Sequence, residues 1–322
     1  MQLVYKRNLR RGMTGQDVRD LQSALVALGY DPKGVDGSFG PGCEAAIKQF
    51  QKDNQLVVDG IAGPATYRTL NATLRNLQTS NPSPKVYKTL RRFSSNVHVL
   101  ELPMNKFFVD VDLGVRGRLE TVRKIVEDKR REGKKIVGGT NGGFFEFNAS
   151  SEHLGMLIDD GLYYSPPHNY FIDLIYYKNG KVEIVNLHGY DKEKLTSLQR
   201  NAYWGIGTSY SLIQNGVINL ENSHKFDHAK QRHPRTLLGI TRDNKWLMVV
   251  VDGRTSTNLG VTAQQSAEIM RELGAYQAVN LDGGGSSTMV VVENGKVVLK
   301  NRPGNPGGAE RAVGSVILAY EK

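Results

Sequence analysis

The sequence predicts an α+β protein in which a small three-helix domain precedes a large domain built on a mixed β-sheet. Two segments of the larger part have the pattern of a strand, a helix and a second strand, which leaves their strands parallel. Asn-Gly pairs indicate β-hairpins, and therefore antiparallel strands, at positions 179–180, 215–216 and 294–295. Parallel crossovers and hairpins together favour a mixed sheet.

Composition restricts the class of protein. The chain has 322 residues, enough for a large and a small domain, and its 39% hydrophobic and 23% charged residues are ordinary for a soluble globular protein. Its formal net charge of +10 favours a polyanionic partner such as nucleic acid, anionic cell wall or acidic membrane, but charge alone does not choose among them. The single cysteine, Cys43, excludes an internal disulfide and a multi-cysteine zinc site. No apolar run approaches the length of a membrane span, and the basic N-terminus lacks the apolar stretch of a signal peptide.

Residues 1 to about 75 contain an internal repeat. The segment Val35–Pro41 recurs 23 positions later as Val58–Pro64, and each copy joins an Asp-Gly turn to a Gly-Pro pair at which a helix can begin. Apolar residues at helical spacing are Val18, Leu21, Leu25 and Leu28 before the first copy, Ala46, Ile47 and Phe50 between the copies, and Tyr67 and Leu70 after the second. The repeat therefore predicts three short helices.

This N-terminal segment resembles the type 1 peptidoglycan-binding domain family. The residues that carry the resemblance are Leu9, Arg10, Arg11, Gly12, Val18, Leu21, Gln22, Leu28, Gly29, Tyr30, Asp36 to Gly40, Ala46, Phe50, Gln51, Asp59, Gly60, Gly63 and Pro64. The resemblance implies a module that binds the cell wall; a helical spacer is the alternative. We expect this domain at residues 1–75, a polar, proline-bearing linker at 76–88 and the large domain at 89–322.

Two strand–helix–strand units are predicted in the large domain. The first runs from Phe107–Leu113 through a helix around Leu119–Glu132 to Lys135–Val137. In the second, a helix that opens with the capping-box pattern Thr-Ala-Gln-Gln joins the strands Trp246–Val251 and Ala275–Leu281.

The ends of these strands carry polar residues that should lie together. Asp252 and Asp282 follow the two strands of the second unit, so both should open on one edge of the sheet. Ligands of such sheets bind at that edge. By the same logic Asn141 ends a strand and is expected on the same edge. Three unrelated surface turns are the alternative.

Three glycines and three hydroxyl residues follow Asp282 directly. A Gly/Ser run is usually a flexible linker, but this one lies between two strand-like segments. Glycines let a backbone approach a ligand closely, and successive N–H groups with nearby hydroxyls can bind an anion. The residues predicted to bind substrate are therefore Gly283, Gly284, Gly285, Ser286 and Ser287. No Gly-Lys-Ser/Thr follows, which argues against a nucleotide-binding P-loop.

Residues 90–320 resemble the phosphodiester glycosidase family. The matching residues are Asn141 to Phe145, Glu152, Leu154, Gly155, Pro234 to Thr236, Gly239, Asp252 to Arg254, Asn280 to Thr288, Glu310 and Arg311. The resemblance implies hydrolysis of a sugar–phosphodiester bond, with Asn141 and Thr236 among the residues that bind substrate.

The implied chemistry assigns roles to charged residues. A phosphate is an acidic leaving group, so it needs charge neutralisation rather than protonation, and bidentate arginines can supply this. The candidates are Arg235, Arg254 and Arg311. Developing positive charge at the sugar carbon needs a carboxylate, and the attacking water needs a base. Asp282 and Glu152 are the predicted pair of acids, and Asp252 is the third candidate.

The same acids could instead hold a cation. Asp252, Asp282 and Glu152 offer the oxygen ligands that calcium or magnesium prefers, although no ligand-spacing pattern supports a metal site. A divalent cation is therefore a possible cofactor, but none is expected to be required.

The histidines are less informative than the acids. His224 and His228 are four residues apart without a helical stripe around them, which favours a surface loop over a metal-binding pair. His153 and His233 adjoin motif residues, where either could contact substrate.

The leading prediction is a cell-wall-directed hydrolase. Its N-terminal module would bind peptidoglycan, and its large domain would cleave a sugar-1-phosphodiester bond in an attached anionic glycopolymer such as a teichoic acid. This places the protein outside the cell or in the cell wall, with a signal removed, export by another route, or release by phage-mediated lysis. A wall-binding protein that kept the fold without activity is the alternative. Nucleic-acid binding rests on charge alone and lacks a recognised motif.

Overall fold

The structure, a computed structural model, contains two units, Met1–Pro84 and Lys85–Lys322, each with its own core. The described residues are 3–80, 86–114, 118–146, 153–189 and 192–322. Within these ranges, no helix is both long enough and apolar enough to cross a bilayer.

The N-terminal unit consists of the three predicted helices. They are α1 (Gln16–Ala27), α2 (Pro41–Asp53) and α3 (Pro64–Ser80). Pro41 and Pro64 are the first residues of their helices, because proline fixes a helical φ and lacks only an N–H that would have no partner there. The apolar faces recognised in the sequence meet in a core that includes Leu21, Ile47 and Leu70.

Two buried glutamines give the sequence repeat a structural counterpart. The Gln22 Oε1 accepts from the Gly37 N–H (2.8 Å), and the Gln51 Oε1 accepts from the Gly60 N–H (2.9 Å). Each glutamine also donates from Nε2 to the aspartate of the same turn. Both Asp-Gly turns are thus held by the preceding helix.

Helix α3 extends beyond the predicted domain end. Residues 76–80 were predicted to be linker but are helical, and the first strand begins at Tyr87, inside the predicted linker of 76–88. No proline occurs between Pro64 and Pro82, so nothing in the 76–80 sequence prevents the helix from continuing. Residues 81–85 of the predicted linker lie outside the described residues.

The C-terminal unit contains three β-sheets. Its strands are β1 (Tyr87–Arg92), β2 (Ser95–Pro103), β3 (Phe107–Asp112), β4 (Ile136–Asn141), β5 (Leu157–Asp159), β6 (Leu162–Ser165), β7 (Ile172–Tyr177), β8 (Val182–Val185), β9 (Ala202–Thr208), β10 (Tyr210–Gln214), β11 (Val217–Ile218), β12 (Arg235–Thr241), β13 (Lys245–Val251), β14 (Ala275–Asn280), β15 (Met289–Glu293), β16 (Lys296–Leu299) and β17 (Val316–Glu321). Its helices are α4 (Val122–Arg131), α5 (Lys192–Asn201) and α6 (Ala263–Glu272). The strand orders are β1-β2-β13-β12-β14-β10-β11, β16-β15-β4-β17-β3 and β6-β5-β9-β7-β8.

The predicted mixed sheet is wrong, although both predicted crossovers are present. β13 and β14 run parallel, but β12 lies between them and pairs antiparallel with both. In the same way, β17 separates β3 from β4. All pairings among the described strands are therefore antiparallel, and the α+β class holds. The three predicted hairpins join β7 to β8, β10 to β11 and β15 to β16.

The three sheets face one shared apolar core, and a helix packs outside each sheet. Trp204 of the third sheet and Trp246 of the first lie at its centre, with ring centroids 5.4 Å apart. The Trp204 Nε1 donates to the Val109 carbonyl (2.7 Å), so the indole joins two sheets. Helix α6 covers the first sheet, α4 the second and α5 the third. The predicted capping box of α6, between Thr262 and Gln265, is present.

Candidate active site

The ends of β13, β14 and β4 form the candidate site. Asp252 follows β13 and Asp282 follows β14 by two residues, so the parallel pair brings both to one edge, as the sequence predicts. Asn141, the last residue of β4 in the neighbouring sheet, donates from Nδ2 to the Asp282 carbonyl (2.7 Å). The Asp282 N–H in turn donates to the Gly142 carbonyl (3.2 Å). Two sheets are therefore joined at Asp282.

Asn141 is a cross-link between three segments. Its Oδ1 accepts from the Thr236 Oγ1 (2.7 Å) and from the Thr288 N–H (3.1 Å). Because both ends of its buried amide have protein partners, Asn141 and Thr236 orient the loop that carries Asp282.

Asp282 has the properties of a group that exchanges protons near neutral pH. Burial raises its pKa to about 6, against the opposing effects of the Ser286 side chain, the Arg311 charge and the Gly283 N–H. A carboxyl group with this pKa is divided between its two protonation states close to neutrality, which suits general acid–base chemistry.

The glycine run brings an arginine directly against the backbone. A methyl group added at Gly285 would overlap Arg311 Nη2 and Asn305 Oδ1, so only glycine leaves room for them. The Arg311 Nη1 donates to the Ser286 Oγ (3.4 Å), and the Asn305 Nδ2 donates to the Gly285 carbonyl (2.8 Å). The sequence predicts that a ligand approaches the backbone at this run. The Arg311 guanidinium, which lies beside Asp282, occupies part of that space.

The three predicted arginines do not have equivalent surroundings. Arg254 is exposed, with its Nη2 3.0 Å from where a Gly284 Cβ would lie. Arg235 is almost fully buried and donates to the carbonyls of His228 (2.7 Å), Gln231 (3.0 Å) and Val261 (3.1 Å). Arg235 therefore holds the chain that leads into β12, whereas Arg254 and Arg311 lie beside the glycine run.

Asp252 is engaged by the protein on both carboxylate oxygens. Its Oδ1 accepts from the Arg302 N–H (3.0 Å), and its Oδ2 lies 3.2 Å from His98 Nε2 and 3.4 Å from Asn96 Nδ2. The carboxylate is buried. Asp252 thus fastens the segment after β16 to the first sheet. His98 was missed by sequence reasoning, although a lone histidine within an apolar strand is a signal of such a buried partner.

His153 is a buried imidazole beside the first glycine motif. Its Nδ1 lies 3.3 Å from Ser315 Oγ, which also accepts from the Gly143 N–H (3.1 Å). Burial lowers the pKa of His153 to about 4, so the ring is neutral at neutral pH. Glu152, the predicted second acid, lies outside the described residues.

A series of aromatic rings continues from the Asn141–Phe145 motif. The ring centroid of Phe144 lies 5.4 Å from that of Phe171 and 6.4 Å from that of Phe226. The centroid of Phe226 lies 5.4 Å from that of His228. His228, predicted to be in a surface loop, is half-buried among these rings, because Phe226 beside it turns inward, and burial lowers its pKa to about 4. His224 is exposed, as predicted. His233 is half-buried and completes the series, 6.5 Å from His228.

Several buried polar atoms on the segments around this edge have no hydrogen-bond partner among the described residues. They are His153 Nε2, Tyr210 OH, Asn280 Oδ1, Ser287 Oγ and Thr288 Oγ1. Buried polar groups in folded proteins nearly always have a partner, so a concentration of exceptions marks a place where a polar ligand or ordered water completes the bonding.

The described residues do not assemble a cation site. Within residues 3–80, 86–114, 118–146, 153–189 and 192–322, no three His, Cys, Asp or Glu side chains converge. The oxygens of Asp252 already accept from protein donors, so this carboxylate does not fit the predicted calcium or magnesium ligand.

Comparison with known families identifies both parts of the chain. The profile of the phosphodiester glycosidase family matches residues 134–320, and that of the putative peptidoglycan binding domain matches residues 14–70. The chain belongs to the phosphodiester glycosidase family, whose members are hydrolases. Together the two matches define a peptidoglycan-binding-like domain followed by a phosphodiester glycosidase domain.

Solved structures share the fold. The catalytic domain of zebrafish N-acetylglucosamine-1-phosphodiester alpha-N-acetylglucosaminidase, auto-inhibited by its pro-peptide, superposes with a TM-score of 0.56 at 22% identity, over 76% of this chain and 86% of that one. A hypothetical protein from Synechocystis gives 0.53 at 14% identity, over 73% and 61%. At these identities the likeness shows the fold alone.

Relatives of known activity match over shorter stretches. An N-acetylmuramoyl-L-alanine amidase of Bacillus licheniformis is 36% identical over 100 residues, 30% of this chain and 27% of the amidase. A zinc D-Ala-D-Ala carboxypeptidase of Streptomyces albus G is 42% identical over 71 residues, 21% of this chain and 27% of the carboxypeptidase. The chain thus spans less than a third of the length of these relatives.

Proposed function

We propose that the C-terminal domain hydrolyses a sugar-1-phosphodiester bond in an anionic glycopolymer, such as a teichoic acid, attached to peptidoglycan. The observation that carries this proposal is Asp282. Its carboxyl group titrates near pH 6, beside the Arg311 guanidinium, among buried polar atoms whose partners are missing from the described protein.

The arrangement suits the transfer of a sugar to water. Asp282 takes a proton from a water molecule, the water oxygen bonds to the anomeric carbon, and the bond from that carbon to the phosphate oxygen breaks. The products are a free sugar and a phosphate monoester. Arg311 neutralises the charge that develops on the departing phosphate, which is the largest electrostatic change in this step. Glu152 remains the predicted second acid, on the family resemblance alone.

The N-terminal domain supplies the location of the reaction. Its match to the peptidoglycan-binding family supports attachment to the wall polymer, and a bound module raises the local concentration of the catalytic domain at nearby substrate. The protein is therefore proposed to act at the cell wall or outside the cell.

Digestion of purified walls tests the proposal directly. Walls with and without teichoic acid are incubated with the wild-type chain and with Asp282→Asn, and the released products are identified by mass spectrometry. We expect free sugar and new phosphate monoester ends only from teichoic-acid-bearing walls and only with the wild type. Binding to walls without release of any product would instead support the non-catalytic wall protein.

A further inference from the structure

Two exposed arginines at the border of the site have no acidic partner within the described parts of the chain. Arg254 follows β13, and Arg302 follows β16; both side chains are exposed. Among the described residues, no carboxylate lies within ion-pair distance of either guanidinium, whereas Arg92, Arg123 and Arg131 of the same domain each pair with a Glu or Asp. Within the described ranges, Arg254 makes one long hydrogen bond, to the Gly304 carbonyl (3.4 Å).

Both side chains lie against glycines of one short segment, 303–308. A methyl group at Gly304 would lie 3.5 Å from Arg254 Cδ, and one at Gly308 would lie 3.3 Å from Arg302 Cγ and 3.6 Å from its Cζ. The backbone N–H of Arg302 is held by Asp252 (3.0 Å). The two guanidiniums therefore border a surface formed by the 303–308 segment, whose glycines have no side chain to cover the backbone.

This segment is fastened to the proposed reaction centre. Asn305 donates to the Gly285 carbonyl (2.8 Å) and accepts from Arg311 Nη2 (3.3 Å). Arg254 contacts Gly284 and Arg311 contacts Gly285, so chain geometry places their guanidiniums no more than about 12 Å apart. The surface bordered by Arg254 and Arg302 is thus continuous with the one around Asp282.

Unpaired guanidiniums beside a reaction centre favour an anionic ligand. Their charge is not cancelled locally, so it raises the concentration of anions at the site, and the planar fork matches two phosphate oxygens. A single phosphodiester carries one negative charge, which cannot neutralise both exposed guanidiniums as well as Arg311. A polymer that carries a phosphate in every repeat supplies a second one.

We propose that Arg254 and Arg302 form a second phosphate subsite, which binds the phosphodiester next to the one being cleaved. This inference rests on the proposed function, because it assigns the polymeric nature of the substrate to a surface of the same site. The enzyme consequently prefers chains of phosphodiesters to an isolated one.

Binding measurements separate this subsite from catalysis. The full-length Asp282→Asn chain, which does not consume the ligand, is titrated with a hexamer of sugar-1-phosphodiester repeats and with a single sugar-1-phosphodiester at several salt concentrations. Arg302→Gln and Arg254→Gln are each introduced into this background. We expect each variant to lower the ratio of hexamer affinity to single-diester affinity about tenfold. Each should also reduce the number of counter-ions released on hexamer binding, given by the slope of log affinity against log salt concentration, by about one.

Arg242→Gln is the matched control. It removes the same charge at the opposite end of β12, where Arg242 lies over the Tyr276 ring (4.7 Å), and it should leave the affinity ratio unchanged. Melting temperatures confirm that all variants are folded. Equal losses from Arg302→Gln and Arg242→Gln would show attraction by net charge only, and an unchanged ratio in both site variants would overturn the subsite. Either result is independent of whether the wild type hydrolyses walls. Conversely, if the wild type is inactive but the ratio of hexamer to single-diester affinity depends on Arg302, only the proposed reaction is refuted.

Discussion

At the scale of single residues, the properties of Asp282 follow from its surroundings. Burial opposes ionisation, while Ser286, Arg311 and the Gly283 N–H favour it, and burial is the larger effect. The result is a carboxyl group with a pKa of about 6, whose protonation state therefore changes close to neutral pH. Asp252 has different surroundings, because its carboxylate oxygens lie within hydrogen-bond distance of three protein groups.

The first prediction concerns the pH dependence of Asp282. If the ionised form is the base, kcat/KM should rise with pH through about 6, and Asp282→Asn should lower it by roughly 10²- to 10⁴-fold. Steady-state rates on a soluble sugar-1-phosphodiester measure both effects. Asp243→Asn, at the opposite edge of the sheet, is the control and should retain full activity. A profile that is flat between pH 5 and pH 7 would contradict the assigned role.

The same pKa predicts a change in stability. Because the folded-state pKa of about 6 exceeds the ordinary value of 3.8, the contribution of Asp282 to stability is complete below the ordinary value and is lost as pH rises through 6. Asp282→Asn should therefore raise the free energy of unfolding relative to wild type at pH 8, by an amount of the order of 1–2 kcal/mol, and not at pH 3.5. Urea unfolding at the two pH values tests this; a mutant less stable at pH 8 would contradict it.

Gly285 offers a test of the contact between the backbone and Arg311. In Gly285→Ala the added methyl group would displace the guanidinium and Asn305, so activity should fall by about one to two orders of magnitude while the fold persists. Gly40→Ala makes the same chemical change where the methyl meets no neighbour, and should be neutral for activity. Rates on the soluble substrate and circular dichroism distinguish the two variants, and a fully active Gly285→Ala would disprove the contact.

At the scale of elements, buried polar bonds connect strands that are distant in sequence. Tyr87 of β1 places its hydroxyl 2.8 Å from His98 Nδ1, and His98 Nε2 faces Asp252 after β13. Asp252 then holds the Arg302 N–H after β16. The segment that positions Arg311 is thus tied to the first sheet through a short polar chain.

Breaking this chain should affect stability and activity together. His98→Ala leaves the buried Asp252 carboxylate with fewer partners, so we expect a loss of about 1–3 kcal/mol in the free energy of unfolding and a lower kcat, because the 302–311 segment is less firmly placed. Tyr87→Phe removes only the outer bond and should have a smaller effect. Urea unfolding and initial rates provide the measurements. If His98→Ala matched the wild type in both, the chain would have no such role.

Sequence reasoning succeeded where a local pattern determines the structure. The Gly-Pro helix starts, the Thr262 capping box and the Asn-Gly hairpins depend on a few adjacent residues, and all were predicted. The crossover pattern also placed Asp252 and Asp282 at one edge. It could not show that β12 and β17 lie between the crossing strands, because that depends on pairings between residues far apart in sequence. For the same reason it could not distinguish Asp252, whose partners Asn96, His98 and Arg302 come from two remote segments, from a catalytic acid.

At the scale of the whole molecule, the two units have separate apolar cores, Met1–Pro84 and Lys85–Lys322. Deleting residues 1–80 should therefore leave turnover of a soluble sugar-1-phosphodiester unchanged and reduce activity on intact walls. Residues 1–80 alone should sediment with purified peptidoglycan. Parallel assays of the deletion on both substrates check this. Equal losses on both would show that the units share one site, and failure of residues 1–80 to sediment with walls of several types would leave them a spacer.

The position of β17 has a consequence for how the protein is made. β17 is the last strand of its sheet along the chain, yet it lies between β3 and β4, pairing Glu321 with Phe107. While the chain is still on the ribosome, β3 and β4 have emerged but have no partner between them, so this sheet closes only after translation has passed β17. A messenger truncated after β16 would yield a protein that carries the whole Asp282 loop and still exposes two bare strand edges, which are the surfaces from which aggregation starts.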